Sequence, residues 1–98
     1  MDKTLITQEE LKKILCYNPD TGVFTWIQPV SKRIKVGTIA GSDSHGMTII
    51  VINNKRYRAN RLAWLYMTGE WPAFDVKFVN GRQDDLSWNN LKLGKRQR

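Results

Sequence analysis

At 98 residues, the chain is long enough for one modest hydrophobic core and too short for two independent ones. Its 41% hydrophobic and 10% aromatic content excludes the depleted composition of a disordered chain, and no apolar run approaches the roughly 20 residues that span a bilayer. The formal net charge of +7, from 16 Lys and Arg against 9 Asp and Glu, points to a polyanionic partner only if the cations cluster.

The chain opens on MDKTLITQEE, with no apolar signal core, and its one cysteine, Cys16, can form neither an internal disulfide nor a cysteine-based metal site. Both features predict a cytoplasmic protein, with Cys16 a small buried residue at a helix end. Thr7 and Glu10 make a capping-box pattern, and Leu11, Ile14 and Leu15 follow at helical spacing, which predicts a helix over about 8–16. NPDTG at 18–22 is a turn, and the β-branched and aromatic run VFTWI is a strand. Two more strands are expected at 35–40 and 47–52, separated by the turn-rich GSDSHG, with Asn53 and Asn54 turning tightly into KRYRA. From Asn60 to Thr68 the apolar residues predict a largely buried helix ended by Gly69. The remainder reads as a short strand around VKFV, a turn at Asn80 and Gly81, and a last small helix over about 88–93 capped by Ser87. Trp26, Trp64, Trp71 and Trp88 are expected in the core or at an interface between lobes, and His45 in an exposed loop.

Charge is concentrated in two blocks. Residues 1–31 sum to −1, 32–61 to +6, 62–91 to −2 and 92–98 to +4. The middle block holds Lys32, Arg33, Lys35, Lys55, Arg56, Arg58 and Arg61 against Asp43 alone. A strand carrying Lys55, Arg56 and Arg58 cannot bury all of them cheaply, so some face solvent or phosphate.

Two strings, RYRANRLAWLYMTGEWP at 56–72 and VKFVNGRQDDLSWNNLKL at 76–93, together with TGVFTW, resemble the small HNH endonucleases common in phage genomes. The resemblance implies an α+β fold: an N-terminal helix, a three- to four-stranded antiparallel sheet with a packed helix, then a compact ββα HNH-like motif. The sheet and helix are similar to the DNA-binding domain of plant ethylene-response factors. A single domain over 1–98 is expected, with an N-terminal helix and turn (1–21), a DNA-binding-like lobe (22–70), the ββα motif (71–93) and a basic tail (94–98).

The family cuts with an aspartate and a final asparagine or histidine that hold a divalent metal, a histidine that deprotonates water, and a middle asparagine that orients the histidine. Laid on this chain residue by residue, the metal-binding aspartate falls on Lys77, the general base on Phe78 and the middle asparagine on Leu86, whereas Asn90 keeps the final position. Asn60 stands at an upstream histidine position. The resemblance thus implies a catalytically inactive protein without metal or cofactor. Lys32, Arg33, Lys35, Lys55, Arg56, Arg58 and Arg61 are the expected contacts to double-stranded DNA, in a bacterial host cytoplasm if the chain is phage-encoded. The alternative is a phage-encoded inhibitor or adaptor that binds a host protein, such as a nuclease or defence enzyme, through an apolar patch at Phe78 and Leu86, two residues that would equally fill the vacated site as core.

Overall fold

The computed structural model describes residues 5–29, 32, 34–72 and 75–94. Helix α1 (Gln8–Ile14) starts on the expected capping box: the Glu10 amide donates to the Thr7 hydroxyl at 3.2 Å, and the Thr7 amide donates to the Glu10 carboxylate at 3.2 Å. The helix stops two residues earlier than its apolar spacing predicts. Leu15 turns extended, and Leu15–Tyr17 (β1) pairs antiparallel with Phe24–Trp26 (β2). Strand alternation then sends Leu15 and Tyr17 into the core and Cys16 out to solvent, so Cys16 is exposed rather than buried.

A three-stranded antiparallel sheet follows, formed by β3 (Ser42–Ser44), β4 (Met47–Ile52) and β5 (Lys55–Arg58) in sequence order. The expected strand at 35–40 is reduced to a single bridge between Thr25 and Ile39. Thr38 instead closes a turn, its amide and hydroxyl both donating to the Lys35 carbonyl, and Gly37 takes a φ of 95° that extended L-residues do not adopt. The sheet's first strand is therefore the serine-rich stretch that composition marks as a turn. The true turn is its end, His45 and Gly46, both with positive φ. Asn53 and Asn54, at φ 53° and 69°, supply the two left-handed positions of a tight hairpin, as expected.

Helix α2 (Ala59–Thr68) ends at Gly69 in the left-handed conformation, whose amide donates to the Leu65 carbonyl at 2.9 Å. Leu62, Ala63 and Leu65 of α2, Leu11, Leu15 and Phe24 from the N-terminal part, and Ile50 and Ile52 of β4 form one core. Trp26 belongs to it, and Trp64, Trp71 and Trp88 are half-buried against it. Beyond α2, β6 (Val76–Phe78) pairs antiparallel with β7 (Leu91–Leu93). The expected terminal helix is one 3-10 turn, Trp88–Asn90, because Leu91 leaves it to pair with Phe78 and bury its side chain. Ser87 precedes that turn, but its hydroxyl goes to Asp85 rather than to a helix amide.

Hydrogen bonds between distant segments fasten this last motif to the rest. The Tyr17 hydroxyl donates to the Leu86 carbonyl, the Trp88 amide to the Pro19 carbonyl at 2.8 Å and the Asn60 side chain to the Val76 carbonyl at 2.9 Å. Among the described residues no helix is long and apolar enough to cross a membrane.

Candidate nucleic-acid interface

The basic residues of the middle block separate on folding. On β5, Tyr57 is buried, so Arg56 and Arg58 lie on the opposite, outer face of the sheet. There they sit across from Val51 and Ile49 of β4, and the Arg56 guanidinium reaches the Ser44 hydroxyl of β3 at 3.5 Å. Lys55, Arg56, Arg58 and Arg61 line one groove of about 600 Å³ with Leu5, Tyr57 and Trp71, and no carboxylate is among its lining residues. Tyr57 and Trp71 stack there at 5.8 Å between ring centroids, and Trp71 is fixed by its indole N–H, which donates to the Ile6 carbonyl at 2.9 Å. Trp71 is packed against the core, as expected, and its groove-lining position is not legible locally because the Tyr57 that stacks on it is 14 residues away.

Lys32 and Lys35 are exposed on the segment after β2, which is hydrogen-bonded back to β2 through Gly37, Thr38 and Ala40, and neither lines the groove. Arg33 and the basic residues 95–98 lie outside the described residues. The structure therefore brings together four of the seven expected DNA contacts.

The motif positions are equally divided. Lys77 is exposed on the outer face of β6, directly opposite Lys92 of β7, and its methylenes run over Gly94. Phe78 is half-buried against the core, and Leu86 is a core residue at 7% exposure. An apolar docking patch at Phe78 and Leu86 is thus not what the fold presents, since the larger part of it faces inward. Asn90 is buried too, and both ends of its amide are engaged. Its oxygen accepts from the Asn80 backbone at 2.9 Å, and its nitrogen donates to the Asp85 carbonyl at 2.9 Å, which closes the loop between β6 and the 3-10 turn. The Asn60 amide is likewise spent on the Val76 carbonyl. An ammonium, a phenyl ring, a buried leucine and a committed amide do not fit a divalent cation. Among the described residues no three His, Cys, Asp or Glu side chains come together to hold one.

Asp85 organises the same loop. The Ser87 hydroxyl and amide donate to it at 2.7 and 3.2 Å, and the Asn80 side chain at 3.1 Å. These bonds, Ser87 first, and the nearby Arg82 charge hold its carboxyl below the ordinary value of 3.8. Because the folded value is the lower one, the contribution to stability is present above the ordinary carboxylate range and is lost as pH falls through the folded value. Ser87→Ala is expected to raise the Asp85 titration midpoint toward 3.8, read from its carboxyl carbon by NMR. An unchanged midpoint would remove the Ser87 hydroxyl as the main cause. Tyr17 moves the other way: burial, then the Asp85 charge, pushes its hydroxyl well above the usual tyrosine range, so it remains a donor to Leu86.

A search of curated proteins and of solved structures returned no match. Residues 57–98 match the family model of HNH endonucleases, a family tied to nucleic-acid chemistry. The matched stretch takes in the second half of β5, all of α2, and the β6–β7 motif in which Asn80, Asp85 and Asn90 are linked. Over this region, somewhat under half of the 98 residues, the chain is similar to HNH endonucleases.

Proposed function

We propose that this chain is a non-catalytic HNH-like protein that binds double-stranded DNA through the outer face and free edge of the three-stranded sheet. The observation that carries the reading is the groove in which Lys55, Arg56, Arg58 and Arg61 converge without a lining carboxylate. Four cations gathered on one surface repel one another, and a phosphate backbone relieves that repulsion while releasing its own condensed counterions. Arg56 and Arg58 would position the sheet on the duplex, with the exposed Val51 between the strands available to base edges.

The test is fluorescence anisotropy on duplex DNA over a salt series. If about four to six phosphates are contacted, the slope of log affinity against log salt is roughly −4 to −5. Replacing Arg56 and Arg58 together by Ala is expected to shallow it by up to about two units. A folded protein that fails to bind duplex DNA even at low salt overturns the reading.

The non-catalytic part rests on Lys77 and Phe78 standing where a ligand and a base are needed, and on Asn90 being committed to its loop. A positive ammonium repels a cation as well as failing to ligate it. The purified protein is expected to leave supercoiled plasmid intact with magnesium or manganese. Nicking that co-elutes with the protein and is abolished by chelation would show that it cuts.

A further inference from the structure

Between α1 and the β4–β5 hairpin lies a cavity of about 420 Å³ that the DNA-binding reading leaves unused. Ile6, Ile14 and Ile52 give it apolar walls, and Gln28, Asn53 and Tyr57 line it with polar groups. That size and that mixture are those of a small-ligand site. Tyr57 is 8% exposed, yet among the described residues its hydroxyl has no hydrogen-bond partner. A tyrosine buried to that extent ordinarily finds one, because a polar group withdrawn from water and left unpaired is costly. The stack on Trp71 holds the ring in place. The side-chain amides of Gln28 and Asn53 have no partner among the described residues either, although both residues are exposed and water can serve them. Their backbones are fixed: Asn53 by the hairpin turn at φ 53°, and Gln28 by its amide, which donates to the Ile14 carbonyl at 3.2 Å.

We infer that this cavity takes the base of a nucleotide whose phosphate lies in the adjoining basic groove. The two spaces share walls: Leu5, Lys55 and Tyr57 line both, whereas Arg56, Arg58 and Arg61 line the groove and not the cavity. A nucleotide has the matching halves, a flat base with donors and acceptors on its edge and an anionic phosphate. The Gln28 and Asn53 amides each offer both a donor and an acceptor to such an edge, and the Tyr57 hydroxyl can serve as either. Glu10 is the one carboxylate in the cavity lining, and it is engaged in the capping box, where it accepts from the Thr7 amide at 3.2 Å. A neutral ligand would leave the arginines of the groove unused, and a simple anion would leave the apolar cavity unused. The nucleotide is either an unpaired one at the end of a DNA strand or a free one, and the site chemistry is common to both. Only the first of these sources rests on the DNA-binding reading.

The experiment titrates the full chain with thymidine and deoxyadenosine 5′-monophosphates, and with deoxyribose 5-phosphate, which lacks the base, all at equal ionic strength. Saturable NMR shifts of the Gln28 and Asn53 side-chain amides are expected with at least one nucleotide and not with the sugar phosphate. Tyr57→Phe removes the hydroxyl and keeps the ring against Trp71, and Gln28→Ala removes one amide; each weakens nucleotide binding roughly three- to tenfold. Without nucleotide, Tyr57→Phe keeps or raises the thermal midpoint, because the lost hydroxyl had no partner, whereas a purely structural tyrosine would lower it. Duplexes that end in one unpaired nucleotide or in one abasic residue then assign the source. Tighter binding of the former, lost in Tyr57→Phe, indicates a strand end, and equal affinity indicates a free nucleotide.

Shifts that do not saturate, shifts that deoxyribose 5-phosphate reproduces, shifts that spare Gln28 and Asn53, or a Tyr57→Phe variant that binds nucleotide as the native chain does would overturn the site. Each of these results leaves the DNA reading standing if the same protein still binds duplex DNA in the anisotropy series. Saturable nucleotide binding in a protein that ignores duplex DNA keeps the site and overturns that reading.

Discussion

Gly22→Ala is expected to destabilise the protein by about 3–5 kcal/mol, lowering its thermal midpoint by about 15–30 °C. Gly22 lies at the foot of the β1–β2 turn with φ 80°, where its amide donates to the Asn18 carbonyl at 2.6 Å. A methyl group there would overlap the Leu86 carbonyl carbon and the Ser87 nitrogen and sit 2.8 Å from the Leu86 α-carbon. These are backbone atoms, held by the Tyr17 hydroxyl on Leu86 and by the Trp88 amide on Pro19, so neither side can yield cheaply. The left-handed conformation adds about 1–2 kcal/mol for any residue with a β-carbon. Gly37 and Gly81 serve as controls: they have φ of 95° and 78° but open space around them, so alanine there carries the conformational cost alone. Urea denaturation of the three variants checks the ordering. A Gly22→Ala loss no larger than that of Gly81→Ala would mean that the N-terminal turn is not packed on the HNH-like motif.

Leu86→Asn has the second large effect, about 3–5 kcal/mol of destabilisation, although asparagine is the residue the family pattern places there. Leu86 is 7% exposed and belongs to the common core, so the substitution removes apolar burial and introduces an amide into that core. Leu86→Met preserves the volume and is expected to cost less than about 1.5 kcal/mol. Chemical denaturation of the two variants distinguishes a core position from a surface one. A Leu86→Asn cost below about 1 kcal/mol would place the side chain at the surface and revive a docking patch there. For the same reason, restoring the family's polar set with Lys77→Asp, Phe78→His and Leu86→Asn together would need a compensating stabilisation elsewhere before metal affinity could be read.

Asn90, the motif position expected to keep its family residue, accepts from the Asn80 amide and donates to the Asp85 carbonyl. With Asp85 held in turn by Ser87 and Asn80, the loop is a closed polar network beside a core of Val76, Leu86 and Leu91.

Local chemistry was legible wherever one segment decides its own conformation. The Thr7–Glu10 capping box, the two-asparagine turn and Gly69 as the stop of α2 all follow from neighbours within about four residues. So did the basic character of β5, because alternation beside a buried Tyr57 forces Arg56 and Arg58 outward. Tertiary structure decided the rest, through partners distant in the chain. Leu15–Tyr17 becomes a strand instead of a last helical turn because Phe24–Trp26 is there to pair with it, and Leu91–Leu93 does so because β6 is. Whether Leu86 faced solvent or core depended on Gly22 and Tyr17, more than 60 residues away in the chain. That Arg58, Arg61 and Lys77 share one cleft while Lys32 and Lys35 stay apart from it is likewise set by how β6 docks on α2. Periodicity along a chain reports which face a residue occupies, but only packing between segments determines what that face meets.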